Sequence, residues 1–185
     1  MPATFTPLQI EGLWLIEPRI FSDSRGYFFE TFKQSELAAA GLPIRFVQEN
    51  HSSSAANVLR GLHYQRAPRP QGKLVRALHG AIYDVVVDMR QESPTCGQWL
   101  GVELSAANRK QLYIPPGFAH GFCVLGERAE IAYLCTSEYS PEHEAGVIWD
   151  DPTLGIDWPV KNPLLSEKDK LLGSFTPLPA SVWHG

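Results

Sequence analysis

Four polar side chains in this 185-residue chain stand where an apolar β-structure would not place them without a use. His63 lies mid-strand in VLRGLHYQ, with Arg60 three residues before it and Gly61 between. Lys73 opens the next strand-like run, KLVRAL, and His120 follows the tight turn of IPPGFAHGF. Burying a polar or charged group without a partner is costly, so four of them entering one apolar structure require a shared aqueous cavity. A lone histidine reads best as a core residue bonded to backbone. In the company of Arg60, Lys73 and His120, His63 reads as a proton acceptor, because an imidazole titrates near neutrality. One difficulty follows from strand geometry. On a flat strand Arg60 and His63 point to opposite faces. Either a bulge at Gly61 brings them to one side, or Arg60 stands at the strand entrance and reaches in; the spacing leaves both open.

The elements that hold these residues are short apolar or alternating runs broken by Gly, Pro and Asn. Strands are expected over residues 13–21, 26–32, 45–50, 58–65, 73–78, 81–89, 99–104, 110–115, 121–125 and 130–139, all rich in β-branched and aromatic residues. Turn signals fall at His79-Gly80, Ser93-Pro94, Ala107-Asn108, Pro116-Gly117 and Gly126. One short helix is expected over residues 36–40, capped by Ser35 and ended by Gly41. The C-terminal part is Pro-rich and loop-like, with a helical turn in SEKDKLL capped by Ser166. Many short strands with few helices predict a mainly β fold, an antiparallel sandwich or barrel, and residues 1–185 read as a single domain.

Composition narrows the function. Hydrophobic residues make up 44% and the net charge is −4 without long runs of one sign, which argues against a nucleic-acid or membrane-surface binder. An anionic ligand must therefore be held by a local cluster of Arg and Lys. Cys96, Cys123 and Cys135 form no CxxC pair and read as reduced core thiols. The start MPATFTPLQI has no signal-peptide pattern and no apolar run is long enough to span a bilayer, so a cytoplasmic location is expected.

Residues 115–120, within IPPGFAH, carry the P-x-G-x-x-H pattern of the second cupin motif. The first cupin motif supplies H-x-H and an acidic metal ligand, and here it is broken. Tyr64 and Gln65 follow His63, and Lys73 stands near the place of the acid. Two histidines beside an ammonium make a poor cation site, so no metal and no cofactor are expected. A metal-dependent cupin is the weaker reading, and a module that binds its ligand without turning it over is a third.

The segments EPRIFSDSRGYFFETF, FVQENHS, NVLRGLHYQ, QGKLVRALHG, VVVDMRQESPTCGQWLGVELS, QLYIPPGFAHGF, YLCTSEYSPEHEAG and WDDPTLGIDWP occur in order and at compatible spacing. Together they make the chain resemble the dTDP-4-dehydrorhamnose 3,5-epimerase family. The resemblance implies a cupin-type antiparallel β-barrel (jelly roll) with a few short helices. It implies a dTDP-linked 4-keto-6-deoxy sugar as substrate, inverted at C3 and C5. An enzyme inverting only C3 or only C5 is the alternative. Carried over residue by residue, it implies His63 as the base, Tyr133 as the acid, Asp169 as the orienter of His63, and Lys73 beside the C4 oxygen. It further implies substrate contacts from Gln48, Glu49, Asn50, Arg60, His120, Tyr139, Glu144 and Lys168. Arg60 would hold the diphosphate and Tyr139 would stack on thymine. Arg25 and Glu30 would serve the neighbouring subunit's site, which makes a homodimer with the N-terminal strands at its interface the expected assembly. Two details depart from the usual pattern: Asp is common where Glu49 stands, and the segment after Asp169 is short. For Asp169 to reach His63, the C-terminal segment must fold back over the barrel mouth.

Overall fold

Period-2 alternation and β-branched runs become strands in the computed structural model, which describes residues 3–42 and 45–183. In chain order these are β1 (Thr4–Pro7), β2 (Trp14–Glu17), β3 (Phe21–Asp23), β4 (Gly26–Phe28), β5 (Gln48–Ala55), β6 (Leu59–Gln65), β7 (Lys73–Asp88), β8 (Trp99–Ser105), β9 (Gln111–Ile114), β10 (Phe118–Cys135) and β11 (Glu144–Gly146). All pair antiparallel. One sheet runs β1-β2-β9-β7-β10-β6-β11, with β5 added to β10 and β8 to β7, while among the described residues β3 and β4 pair only with each other.

Two departures from the sequence expectation share one cause. Residues 73–78 and 81–89 join into the single strand β7, and 121–125 and 130–139 join into β10, which ends at Cys135. The turn signals at Gly80 and Gly126 are bends within these strands. The β7–β10 register slips between Leu125 and Glu130 and again between Glu130 and Ile131. A Cβ at Gly80 would lie 2.0 Å from the Arg128 carbonyl oxygen, so only glycine fits this crossing. Beyond the slip the inward parity changes. Val75 and Ala77 face the core from the first half of β7, and Ile82 and Val86 from the second. Each long strand thereby serves two walls of the barrel: the first half of β7 pairs with β9, and its second half with β8.

The helix α1 covers Gln34–Ala39 with Lys33 at its N-cap and no side-chain cap bond, so Ser35 lies inside it and does not cap it. Leu37, buried, packs it against Ile16, Leu74 and Tyr113 on the outer face of the sheet. The C-terminal segment covers another outer face, placing Leu154, Trp158 and Trp183 over Leu59, Leu62, Val85 and Val87. It is tied to the sheet by single bridges, Val58 to Leu164 and Val147 to Gly173. That return path carries residues 164–169 across the barrel mouth.

Candidate active site

The parity problem on β6 is solved by a bulge. His63 pairs with His120 and Arg60 with Phe122, so three steps on β6 match two on β10. Gly61, at φ 113°, takes up the extra residue; a Cβ there would sit 2.6 Å from the Gly121 Cα and 2.7 Å from the His120 carbonyl oxygen. Leu59 and Leu62 turn outward into the core beneath the C-terminal segment, and Arg60 and His63 both line the interior cavity.

That cavity has two lobes of about 460 and 390 Å³, and His63, Lys73 and Tyr133 line both. The first lobe adds Arg60, His120 and Asp169, over a floor that includes Phe122 and Ile131. The second is polar, with Gln48, Asn50, Tyr139 and Glu144.

His63 Nε2 lies 2.7 Å from Asp169 Oδ1. Asp169 is buried and opens a short 3-10 turn, Asp169–Leu171, and its amide donates to Ser166 Oγ at 3.1 Å. Burial pushes the Asp169 carboxyl upward, but hydrogen bonds from His63, Ser166 and the Gly61 amide outweigh it and hold it below the ordinary carboxylate value. With Nε2–H donated to that carboxylate, Nδ1 of His63 keeps its lone pair and is the basic nitrogen.

His120 is also paired. Its Nε2 lies 3.1 and 2.9 Å from the two oxygens of fully buried Asp84. Burial pushes the His120 pKa down; Asp84 opposes this, and the nearby Lys73 and His63 reinforce it. Lys73, at the start of β7, has no ion pair or hydrogen bond on its ammonium among the described residues. Burial lowers its pKa, offset in part by Cys135, its cross-strand neighbour, and by Asp84 and Glu144. Tyr133, inward on β10, is raised above the ordinary phenol value chiefly by burial, so it stays protonated at neutral pH.

At the outer end of the second lobe, the Tyr139 hydroxyl donates to Glu144 Oε2 at 2.5 Å, and the same oxygen accepts from Lys168 Nζ. Burial raises Glu144, but Lys168, Tyr139 and His63 together leave it below its usual value. Gln48 accepts from the Tyr139 amide and donates to Asn50 Oδ1. Arg60 stands at the rim of the first lobe, its Nε on Ser54 Oγ at 3.0 Å.

Three expected contacts lie outside this cavity. Glu49 alternates with Gln48 and Asn50 and lines a separate small cavity with Arg76 and Gln111, so its side chain is not in the site. Arg25 sits on the β3–β4 hairpin, bonded to Asp23 with its side chain 88% exposed. Glu30 follows that hairpin, 3.9 Å from Lys33. The Ser166 cap expected for SEKDKLL is present as the bond its Oγ accepts from the Asp169 amide. The sequence reading missed Asp84 and Cys135 beside Lys73. Asp84 left a signal, an acid inside the apolar run AIYDVVVDM; Cys135 left none. Among the described residues no group of three His, Cys, Asp or Glu side chains has the arrangement a metal ion needs.

Fold and site together define a cupin-type barrel with titratable side chains gathered around one interior cavity. The model of the family described as dTDP-4-dehydrorhamnose 3,5-epimerase matches residues 7–176, and the chain belongs to that family. It is 56% identical over 167 residues to the dTDP-4-dehydrorhamnose 3,5-epimerase of Pseudomonas aeruginosa, covering 89% of this chain and 92% of that one. A Legionella pneumophila dTDP-6-deoxy-D-glucose-3,5-epimerase, solved in complex with dTDP-4-keto-L-rhamnose, superimposes with a TM-score of 0.90 at 47% identity, covering 94% of this chain and 93% of that one. The Bacillus anthracis dTDP-4-dehydrorhamnose 3,5-epimerase, solved with TDP and PPi bound, gives a TM-score of 0.91 at 44% identity, covering 93% of this chain and 99% of that one.

Proposed function

We propose that the chain inverts C3 and C5 of dTDP-4-dehydro-6-deoxy-D-glucose, giving dTDP-4-dehydro-L-rhamnose. The observation that carries this reading is the joint lining of one cavity by the His63–Asp169 pair, the Lys73 ammonium and the Tyr133 phenol. The C4 ketone acidifies the hydrogens on C3 and C5 and no others on the ring. His63 Nδ1 removes one of them, and Tyr133 returns a proton to the opposite face. A carbon acid is far weaker than an imidazolium, and each pKa unit of mismatch costs about 1.36 kcal/mol. The enolate oxygen therefore needs a strong partner in a water-poor site, and Lys73 supplies it. Asp169 holds the His63 tautomer and supports the imidazolium as it forms.

The sugar occupies the first lobe, with His120 beside the ring and the diphosphate at the rim between Arg60 and Lys168. The nucleoside continues past Glu144 to Tyr139, with Gln48 along its path and Asn50 beside Tyr133, where the nucleoside lobe meets the sugar lobe. Arg25 and Glu30 complete the site of a second copy in a homodimer. Support comes from the β3–β4 hairpin, which among the described residues pairs with no other strand and leaves Tyr27 and Phe28 59% and 62% exposed. A cytoplasmic location fits a nucleotide-sugar substrate. Incubation with this substrate in heavy water tests the reaction. Deuterium at both C3 and C5 is the expected result; label at one carbon alone points to a mono-epimerase, and none refutes the reading.

A further inference from the structure

The inward row of β5 is polar throughout: Gln48, Asn50, Ser52 and Ser54 alternate along it and share one face. Three of them have partners. Gln48 bonds Asn50 and the Tyr139 amide, the Asn50 amide reaches Cys135 Sγ, and Ser54 Oγ accepts from Arg60. Ser52 has none. Its Oγ is buried without a hydrogen-bond partner, and it faces Ile131 across the sheet while lining the first lobe. A buried hydroxyl without a partner is not a packing choice, since alanine would fill the same space without desolvating an oxygen.

We propose that Ser52 is a specificity-determining residue whose hydroxyl bonds the C2 hydroxyl of the keto-sugar ring. This rests on the epimerase reading above. Position along β5 selects the ligand atom. Ser54, one inward step away, holds Arg60 at the diphosphate end, and Asn50, one step the other way, is the cross-strand partner of Tyr133. On the sugar, C2 likewise lies between C1, which bears the diphosphate, and C3, which reacts. The chemistry selects it as well. The ring has two free hydroxyls, and the one on C3 changes position as that carbon inverts. The C2 hydroxyl stays in place through both inversions, so a short side chain fixed on a strand can hold it throughout. A rotation about χ1 between staggered wells turns the Ser52 hydroxyl into the lobe.

The test compares kcat/KM, read as deuterium incorporation from heavy water, for the natural substrate and its 2-deoxy analogue. The wild-type protein is expected to prefer the natural substrate by about tenfold, the value of one neutral hydrogen bond at the upper end of its range. Ser52→Ala should lose that preference through a slower natural substrate, with the analogue within about twofold of wild type. Ser52→Thr keeps a hydroxyl and should keep the preference. Comparing ratios cancels any intrinsic effect of the missing oxygen on C3 acidity. Equal losses on both substrates, or an unchanged preference in Ser52→Ala, would overturn the assignment. Absence of exchange into the natural substrate by the wild type would instead refute the epimerase reading itself.

Discussion

Replacing Asp169 with Asn is the sharpest single perturbation of the proton-transfer site. The side chain keeps its shape and loses its charge, and the 2.7 Å contact to His63 Nε2 is where the loss is felt. At about 4 Å between charge centres and an effective dielectric of about 20, a carboxylate stabilises an imidazolium by about 4 kcal/mol. Asp169 is buried, so that interaction is weakly screened. The expected loss is therefore about 10³-fold in the rate of deuterium uptake at both C3 and C5, at about 1.4 kcal/mol per tenfold. Thymidine diphosphate affinity, measured by calorimetry, should change less than about threefold, because Asp169 faces His63 and not the nucleotide lobe. The same variant has a stability signature. Asp169 is depressed in the folded protein, so its contribution is present above the unfolded carboxyl value and is lost as pH falls through the folded one. Asp169→Asn should lack that acid-side decline. Exchange within tenfold of wild type would refute the role given to the carboxylate.

Tyr133→Phe should reduce net inversion by about 10²–10⁴-fold, the usual worth of a positioned acid, while His63-dependent exchange without inversion continues; chiral analysis of the recovered sugar reads the difference. Lys73 is depressed by burial, so its positive charge is lost as pH rises through a value below the ordinary 10.5, and kcat should fall there. Lys73→Arg, lower in absolute rate, should carry that alkaline limb upward, and identical limbs would count against Lys73 as the oxyanion partner. Folding stability takes the opposite sign. The unfolded chain binds the Lys73 proton more tightly, so stability from this group rises between the two values. Gly61→Ala forces a side chain into the Gly121 backbone at a positive φ. A cost of about 2–3 kcal/mol and a melting temperature about 5–10 °C lower are expected by calorimetry.

Much of the site was legible because its residues violate strand patterning. His63, Lys73 and His120 interrupt apolar runs, and the structure gathers them around one cavity. The parity of those runs was not legible. A slip of one residue reverses every side chain beyond it, and the slips at Gly61, near Gly80 and near Gly126 carry the same punctuation as turns. β5 was half-seen for a related reason. Its expected span ended at Asn50, but the strand continues to Ala55 through HSSSA, because its inward face meets a polar cavity and carries no apolar alternation. The meeting of Asp169 with His63 spans 106 positions, and the resemblance, not local pattern, foretold it.

These slips are what make the chemistry available on this barrel. β10 is one continuous strand, yet it presents His120 and Tyr133 to the same interior, although an odd separation of 13 positions would send them to opposite faces of a regular strand. The register break between Leu125 and Ile131 reverses the parity once and so places both inside. The bulge at Gly61 does the same for Arg60 and His63 on the adjoining strand. The Gly61 amide is also among the groups that hold the Asp169 pKa down, so the bulge that turns His63 inward lies beside the carboxylate His63 contacts. An inverting reaction needs an acid and a base that reach both faces of a ring. A regular two-residue repeat would have put half of these groups under the outer layer, among Leu59, Leu62 and Trp158. On the roles proposed for His63 and Tyr133, the two register breaks are requirements of the mechanism, and restoring a regular strand at either one should abolish inversion even if the barrel still folds.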